Sequence, residues 1–139
     1  MPKRVTNLGG VFFKCNDPAA TRDWYATHLG LNGDQYGTTF EWRHPDDPGK
    51  KGSTIWSAFA NDTKYFEPSG KDFMINFRVE NLEWLLTELK KEGIEPIGEM
   101  QVYEYGKFAH IMDPEGNKIE LWEANDTEDE KMVDDKVTK

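Results

Sequence analysis

The chain has 139 residues, a formal charge of −9, a pI near 4.8, 13% aromatic residues and a single cysteine, Cys15. That length suits one domain with a real core; the acidic balance argues against nucleic acid as partner, and one cysteine excludes an internal disulfide. No apolar run approaches the roughly 18 residues of a membrane span, and Met1-Pro2-Lys3-Arg4 leads into no signal-peptide core, so the expectation is a cytoplasmic protein without a membrane partner.

In chain order, Gly9–Cys15 reads as a strand with Val11, Phe13 and Cys15 on one face and Gly10, Phe12 and Lys14 on the other. Asp17-Pro18 opens a helix, Asp as N-cap and Pro at the first helical position. Ala20, Trp24, Tyr25 and Leu29 are its expected buried stripe, and Gly30 its left-handed cap. Strands are expected near Gly33–Tyr36, Thr38–Arg43 and Ser53–Phe59, with a turn over Pro45–Gly52. A linker, Asp62–Lys71, follows.

The plan then recurs. Phe73–Val79 is a strand, and Asn81 caps a helix whose Leu82, Leu85, Leu86 and Leu89 fall at helical spacing before Gly93 ends it. Strands are expected near Glu95–Val102, Gly106–Met112 and Asn117–Glu123, with a tight reversal at Asp113–Asn117. Ala60-Asn61-Asp62-Thr63 reappears as Ala124-Asn125-Asp126-Thr127, a shift of 124 − 60 = 64, which also maps Phe13 onto Phe77 and Ile55 onto Ile119. The expected fold is therefore α+β: two tandem βαβββ modules, about 6–66 and 71–124, forming a cup-shaped, eight-stranded mixed sheet with helices outside, in one domain over 1–124. Residues 125–139, rich in carboxylates and nearly devoid of apolar groups, are expected to fray into solvent.

Three segments carry a resemblance: Asn16-Asp17-Pro18 with Trp24-Tyr25, Leu29-Gly30-Leu31, and above all Met112-Asp113-Pro114-Glu115-Gly116-Asn117-Lys118-Ile119-Glu120-Leu121-Trp122-Glu123. Over Thr6–Ala124 the chain resembles the vicinal oxygen chelate superfamily, which includes glyoxalase I, bleomycin-resistance proteins and extradiol dioxygenases. The resemblance implies a cup-shaped site, a homodimer and, in members that are enzymes, a divalent metal held by His, Glu or Gln from the first and last strands of each module. Those positions fall here on Gly10, Met74, Trp56 and Glu120. Glycine offers no donor atom, tryptophan only an N–H, and a thioether suits hard divalent ions poorly. No metal or other cofactor is therefore expected. A displaced site of Glu41, His110 and Glu120 is the disfavoured alternative.

Without a metal, the cup is expected to take a small organic ligand. Phe12, Trp56, Met74, Phe108 and Trp122 would line it, with Lys14 and Arg78 as a cation pair for an anionic group and His110 beside them. The plainer alternatives are a cup plugged by its own side chains, cations snorkelling to acids at the rim, and His110 as a hydrogen-bonded strand residue. Glu120, a partly desolvated carboxylate, is the candidate catalytic acid or base. Three functions stay open: a small-molecule binding protein akin to the bleomycin-resistance branch, an enzyme (a glyoxalase-like lyase, a dioxygenase, or a metal-free catalyst using Glu120), and a structural dimer.

Overall fold

The computed structural model describes residues 2–125. The expected acidic tail therefore lies outside the described residues apart from Asn125. Seven strands and two helices follow one another as β1 (Val5–Cys15), α1 (Pro18–Leu29), β2 (Thr38–His44), β3 (Asp47–Ala60), β4 (Phe73–Val79), α2 (Leu82–Lys91), β5 (Gln101–Tyr103), β6 (Gly106–Met112) and β7 (Lys118–Ala124). The strands form one open mixed sheet in the order β2-β3-β1-β4-β7-β6-β5.

The centre of the sheet is the antiparallel pair β1 and β4, with Val11 opposite Ile75. Each of the two has a parallel neighbour on its other side: β3 beside β1 and β7 beside β4. The 64-residue shift thus holds at the centre, where Val11 and Ile75 face each other. It slips at the last strands. Val11 pairs with Trp56 and Ile75 with Ile119, a difference of 119 − 56 = 63. The repeated tetrapeptide is one residue out of structural register, so it set the parity of β3 wrongly. A one-residue slip turns every side chain of a strand to the other face.

Eight strands were expected and seven are found. Gly33–Tyr36 forms no strand; the Asp34–Gly37 turn closes on itself by an isolated bridge. The turn expected over Pro45–Gly52 is far tighter, because His44 already pairs with Asp47, and β3 runs on from there. At the other end, the strand expected over Glu95–Val102 shrinks to three residues.

The helices meet their expected caps. Asp17 accepts from the Ala20 amide and Asn81 from the Trp84 amide, each satisfying a donor the first turn leaves open. Gly30 ends α1 at φ 69°. The two helices differ in what they bury. Leu82, Leu85 and Leu89 of α2 pack on Val79, Ala109 and Leu121, with Phe77 and Ile119 beside them. The stripe expected on α1 is not buried: Trp24 is 53% exposed and Leu29 60%, and Ala20 is exposed as well. Tyr25 faces the sheet, with its ring centroid 4.6 Å from that of Trp56, while Trp24, about 100° further round the helix, lies mostly in solvent with its ring tilted against His28.

Truncating the two helices should therefore have unequal effects. Leu85→Ala is expected to cost about 2–5 kcal/mol and Leu29→Ala less than about 0.5 kcal/mol. Urea unfolding of the two variants measures the difference.

Candidate functional site

Alternation along the strands sends Val11, Phe13, Ile75, Phe77, Ile119 and Leu121 toward the helices, and the residues between them to the opposite face. On that opposite face Asn76 of β4, Glu120 of β7 and His110 of β6 stand side by side, since Asn76 pairs with Glu120 and Glu120 with His110 across the ladders. Glu120 is 2% exposed. Its Oε1 accepts from Asn76 Nδ2 at 2.6 Å, and its Oε2 lies 2.9 Å from His110 Nε2. Oε2 also accepts from the hydroxyl of Tyr65, which arrives from the connection between β3 and β4. A buried carboxylate is expensive unless hydrogen-bonded, and this one has three partners from three separate segments.

Tyr65 roofs the cluster. Its ring stacks on Phe59 at 6.0 Å and 7° and meets His110 edge-on at 5.6 Å. Lys118 Nζ donates to the Tyr65 carbonyl at 2.7 Å and sits 5.3 Å from its ring. Beside it Phe66, fully buried, packs with Phe12 and Met74. Burial, and then the Glu120 carboxylate, hold the Tyr65 phenol well above its ordinary value; burial pulls the Lys118 ammonium down, partly offset by Glu120. Two further details complete the floor. A Cβ on Gly9 would run into the Asn76 side-chain amide oxygen, so a larger residue there would have to push the Asn76 amide aside. That oxygen, buried, has no hydrogen-bond partner among the described residues.

The residues singled out in the sequence divide between places. Glu120 and His110 come together. Phe12 and Met74 share the face but sit in the apolar cluster with Phe66. Phe108 stacks on Trp122 at 5.7 Å and 8°. Arg78, also buried, has its guanidinium carbon 4.9 Å from the ring centres of both Trp42 and Trp122, at the edge of a cleft of roughly 470 Å³ that Lys3, Lys50 and Glu80 also line. Trp56 is a correction: the register slip puts it on the helix side, against Phe13 and Tyr25. Counted from the Val11–Ile75 pair, the position matching Glu120 is Ser57, and the aromatic that reaches the opposite face is Phe59.

Lys14 and Arg78 are also not brought together. Away from the facing Val11–Ile75 pair, residues related by the 64-residue shift move apart in opposite directions along the antiparallel strands. Arg78 pairs with Asn7, seven residues from Lys14 on β1, a separation of roughly 20 Å along the strand. Lys14 instead approaches the Phe66 ring at 5.7 Å. The Glu41-His110-Glu120 cluster does not form; Glu41 lies 3.7 Å from Arg43 and 3.9 Å from Lys51. Among the described residues no group of three or more His, Cys, Asp or Glu is placed to hold a metal ion. Sequence reasoning missed Tyr65, Phe66 and Asn76. Asn76 was legible as a polar residue between Ile75 and Phe77 in an otherwise apolar strand. Tyr65-Phe66 showed only as an aromatic pair in a linker.

The profile of the glyoxalase-like domain family matches residues 10–122. A comparison with curated proteins finds no match. Among solved structures, a methylmalonyl-CoA epimerase from Mycobacterium tuberculosis is similar over 88% of this chain and 90% of that one, at TM-score 0.58 and 20% identity. A methylmalonyl-CoA epimerase from Streptomyces coelicolor, in complex with 2-nitronate-propionyl-CoA, covers 87% and 99% at TM-score 0.62 and 15% identity. An Mn(II)-bound glyoxalase from Novosphingobium aromaticivorans aligns with 88% of this chain and 40% of its own, at TM-score 0.58 and 16% identity. At such identities the likeness speaks for the fold. With the profile match across most of its length, the chain belongs to the glyoxalase-like domain family, within the vicinal oxygen chelate superfamily.

The raised phenol has a measurable consequence. A group whose pKa is raised by folding stabilises fully below its unfolded value and loses that contribution as pH rises through the folded one. Tyr65 should therefore support the fold up to about pH 10 and less above it. In an alkaline absorbance titration of the five tyrosines, one phenol should ionise last, and Tyr65→Phe should remove that step. Glu120→Gln should move it to lower pH, because the carboxylate's charge is part of its cause.

Proposed function

We propose that this chain is a metal-independent member of its family that binds a small organic molecule against the Glu120 face. The tandem arrangement of two βαβββ copies belongs to the same reading. It is supported by the Val11–Ile75 pairing at the centre of the sheet and the parallel partner on each flank.

The observation that carries the metal-free reading is the state of Glu120. Both of its oxygens already accept hydrogen bonds from protein groups. The three positions that would complete an ion's coordination hold Gly10, Ser57 and Met74. None of the three is a strong ligand for a hard or borderline divalent ion, and Met74 is fully buried among Phe12 and Phe66. The donor set does not fit the metal of the Mn(II)-bound glyoxalase, and no step is routed through one. Ligand binding is favoured over an inert scaffold by the polar floor. A carboxylate and an imidazole under the Tyr65 ring, with an orphaned amide oxygen on the neighbouring Asn76, cost stability if they serve only as core, and such groups mark a binding surface.

The second reading, acid–base catalysis, rests on the buried Glu120–His110 contact at 2.9 Å. A carboxylate orienting an imidazole is a competent proton-transfer pair when a substrate reaches it. The homodimer implied by the family resemblance is retained as part of the proposal.

Elemental analysis of protein purified without chelator should give far less than one Zn, Mn, Fe or Ni per chain; stoichiometric metal would overturn the metal-free reading. Titration with small aromatic and anionic compounds should change the fluorescence of the five tryptophans, and silence across a broad panel would count against binding. For any activity so found, Glu120→Gln should lower kcat by about 10²–10⁴-fold if Glu120 moves the proton; unchanged turnover removes it from that role.

A further inference from the structure

The segment between β3 and β4, residues 61–72, places the Tyr65 phenol over the Glu120 carboxylate. Tyr65 behaves there as a ligand does. Its hydroxyl donates to Glu120, a carboxylate with almost no solvent exposure. One ring face stacks on Phe59, its flank meets the edge-on His110 ring, and Lys118 adds a cation 5.3 Å from the ring centre. Aromatic stacking, an edge contact, a cation and one directed acceptor are the elements of a specific aromatic-alcohol site.

We propose that the pocket over Glu120 is a phenol-binding site which the chain's own Tyr65 fills as an internal ligand, so that a free phenol binds by displacing it. This deepens the metal-free binding reading and rests on it.

The way the segment is attached fits a removable occupant. Around Tyr65 its backbone hydrogen bonds are short-range, Thr63 to Ala60, Glu67 to Lys64 and Ser69 to Phe66, and its Asp72 end is anchored where the Lys14 amide donates to the Asp72 carbonyl. Its outer residues are exposed, and Tyr65 itself is 38% exposed, so one side of the ring is open to solvent. The holds that must yield are the buried Phe66 ring and the Lys118 bond to the Tyr65 carbonyl. A tethered ring competes at high effective concentration, so the intact protein should bind free phenols weakly, and removal of the tethered ring should unmask the site. The raised phenol of Tyr65 agrees with the geometry, since the site holds the protonated, donating form.

The test uses the full chain and two probes of nearly equal shape, 4-methylphenol and toluene. By calorimetry, Tyr65→Ala should bind 4-methylphenol at least about tenfold tighter than toluene, the factor one hydrogen bond to a charged acceptor is worth. It should also bind it at least about tenfold tighter than the unsubstituted protein does. A folded Tyr65→Ala protein that ignores both probes, or takes them equally, overturns the proposal. Should that variant not fold, the unsubstituted protein is read by limited trypsin digestion after Lys64 and Lys71. Saturating 4-methylphenol should speed cleavage there and toluene should not; equal rates overturn the proposal. A different small molecule binding without metal, with no response to 4-methylphenol, would sink the phenol assignment and leave the metal-free binding reading standing. Stoichiometric metal would remove that reading itself.

Discussion

The hydrogen-bonded burial of Glu120 organises the face of the sheet that the helices leave uncovered. A carboxylate there costs several kcal/mol unless its lone pairs are met, and three separate segments supply the partners. Asn76 reaches it from β4, His110 from β6 and Tyr65 from the connection between β3 and β4. Removing one partner would leave a charge that the others must satisfy, so the four residues are expected to act as one coupled network. The network also reaches the connection between β3 and β4, where Tyr65 bonds to Glu120 and the neighbouring Phe66 is buried.

The opposite face is governed by the hydrophobic effect alone, and unevenly. α2 buries three leucines, while α1 touches the sheet through Tyr25 and leaves Trp24 and Leu29 exposed. Most of the apolar stabilisation therefore lies around β4, β6, β7 and α2. The polar cluster stands on those same strands, so Glu120, Asn76 and His110 are set on the best-packed part of the molecule. Tyr65, on an irregular connection, is the partner with the least support from regular structure.

Much of this was legible in the residues. Helix caps at Asp17 and Asn81, the leucine stripe of α2, and the strands Phe73–Val79 and Gly106–Met112 follow from local patterns with direct physical causes. Errors came where a local pattern had to be carried across a distance. The tetrapeptide repeat set the register of β3 one residue off, and with period-two alternation that small slip exchanged Trp56 for Ser57 and Phe59. The α1 stripe failed because only Tyr25 of its apolar residues packs on the sheet, while Trp24 and Leu29 stay exposed. Tyr65 was invisible because nothing in a polar linker says that its phenol will reach a strand 55 residues away; only the folded chain brings them together.

The most direct test is a crystal structure of the protein purified without chelator at neutral pH. Glu120 is expected to accept from Asn76, Tyr65 and His110, with Tyr65 stacked on Phe59 and no cation in contact with the carboxylate. A cation bound by Glu120 and at least two further protein groups, with Tyr65 turned away, would contradict it.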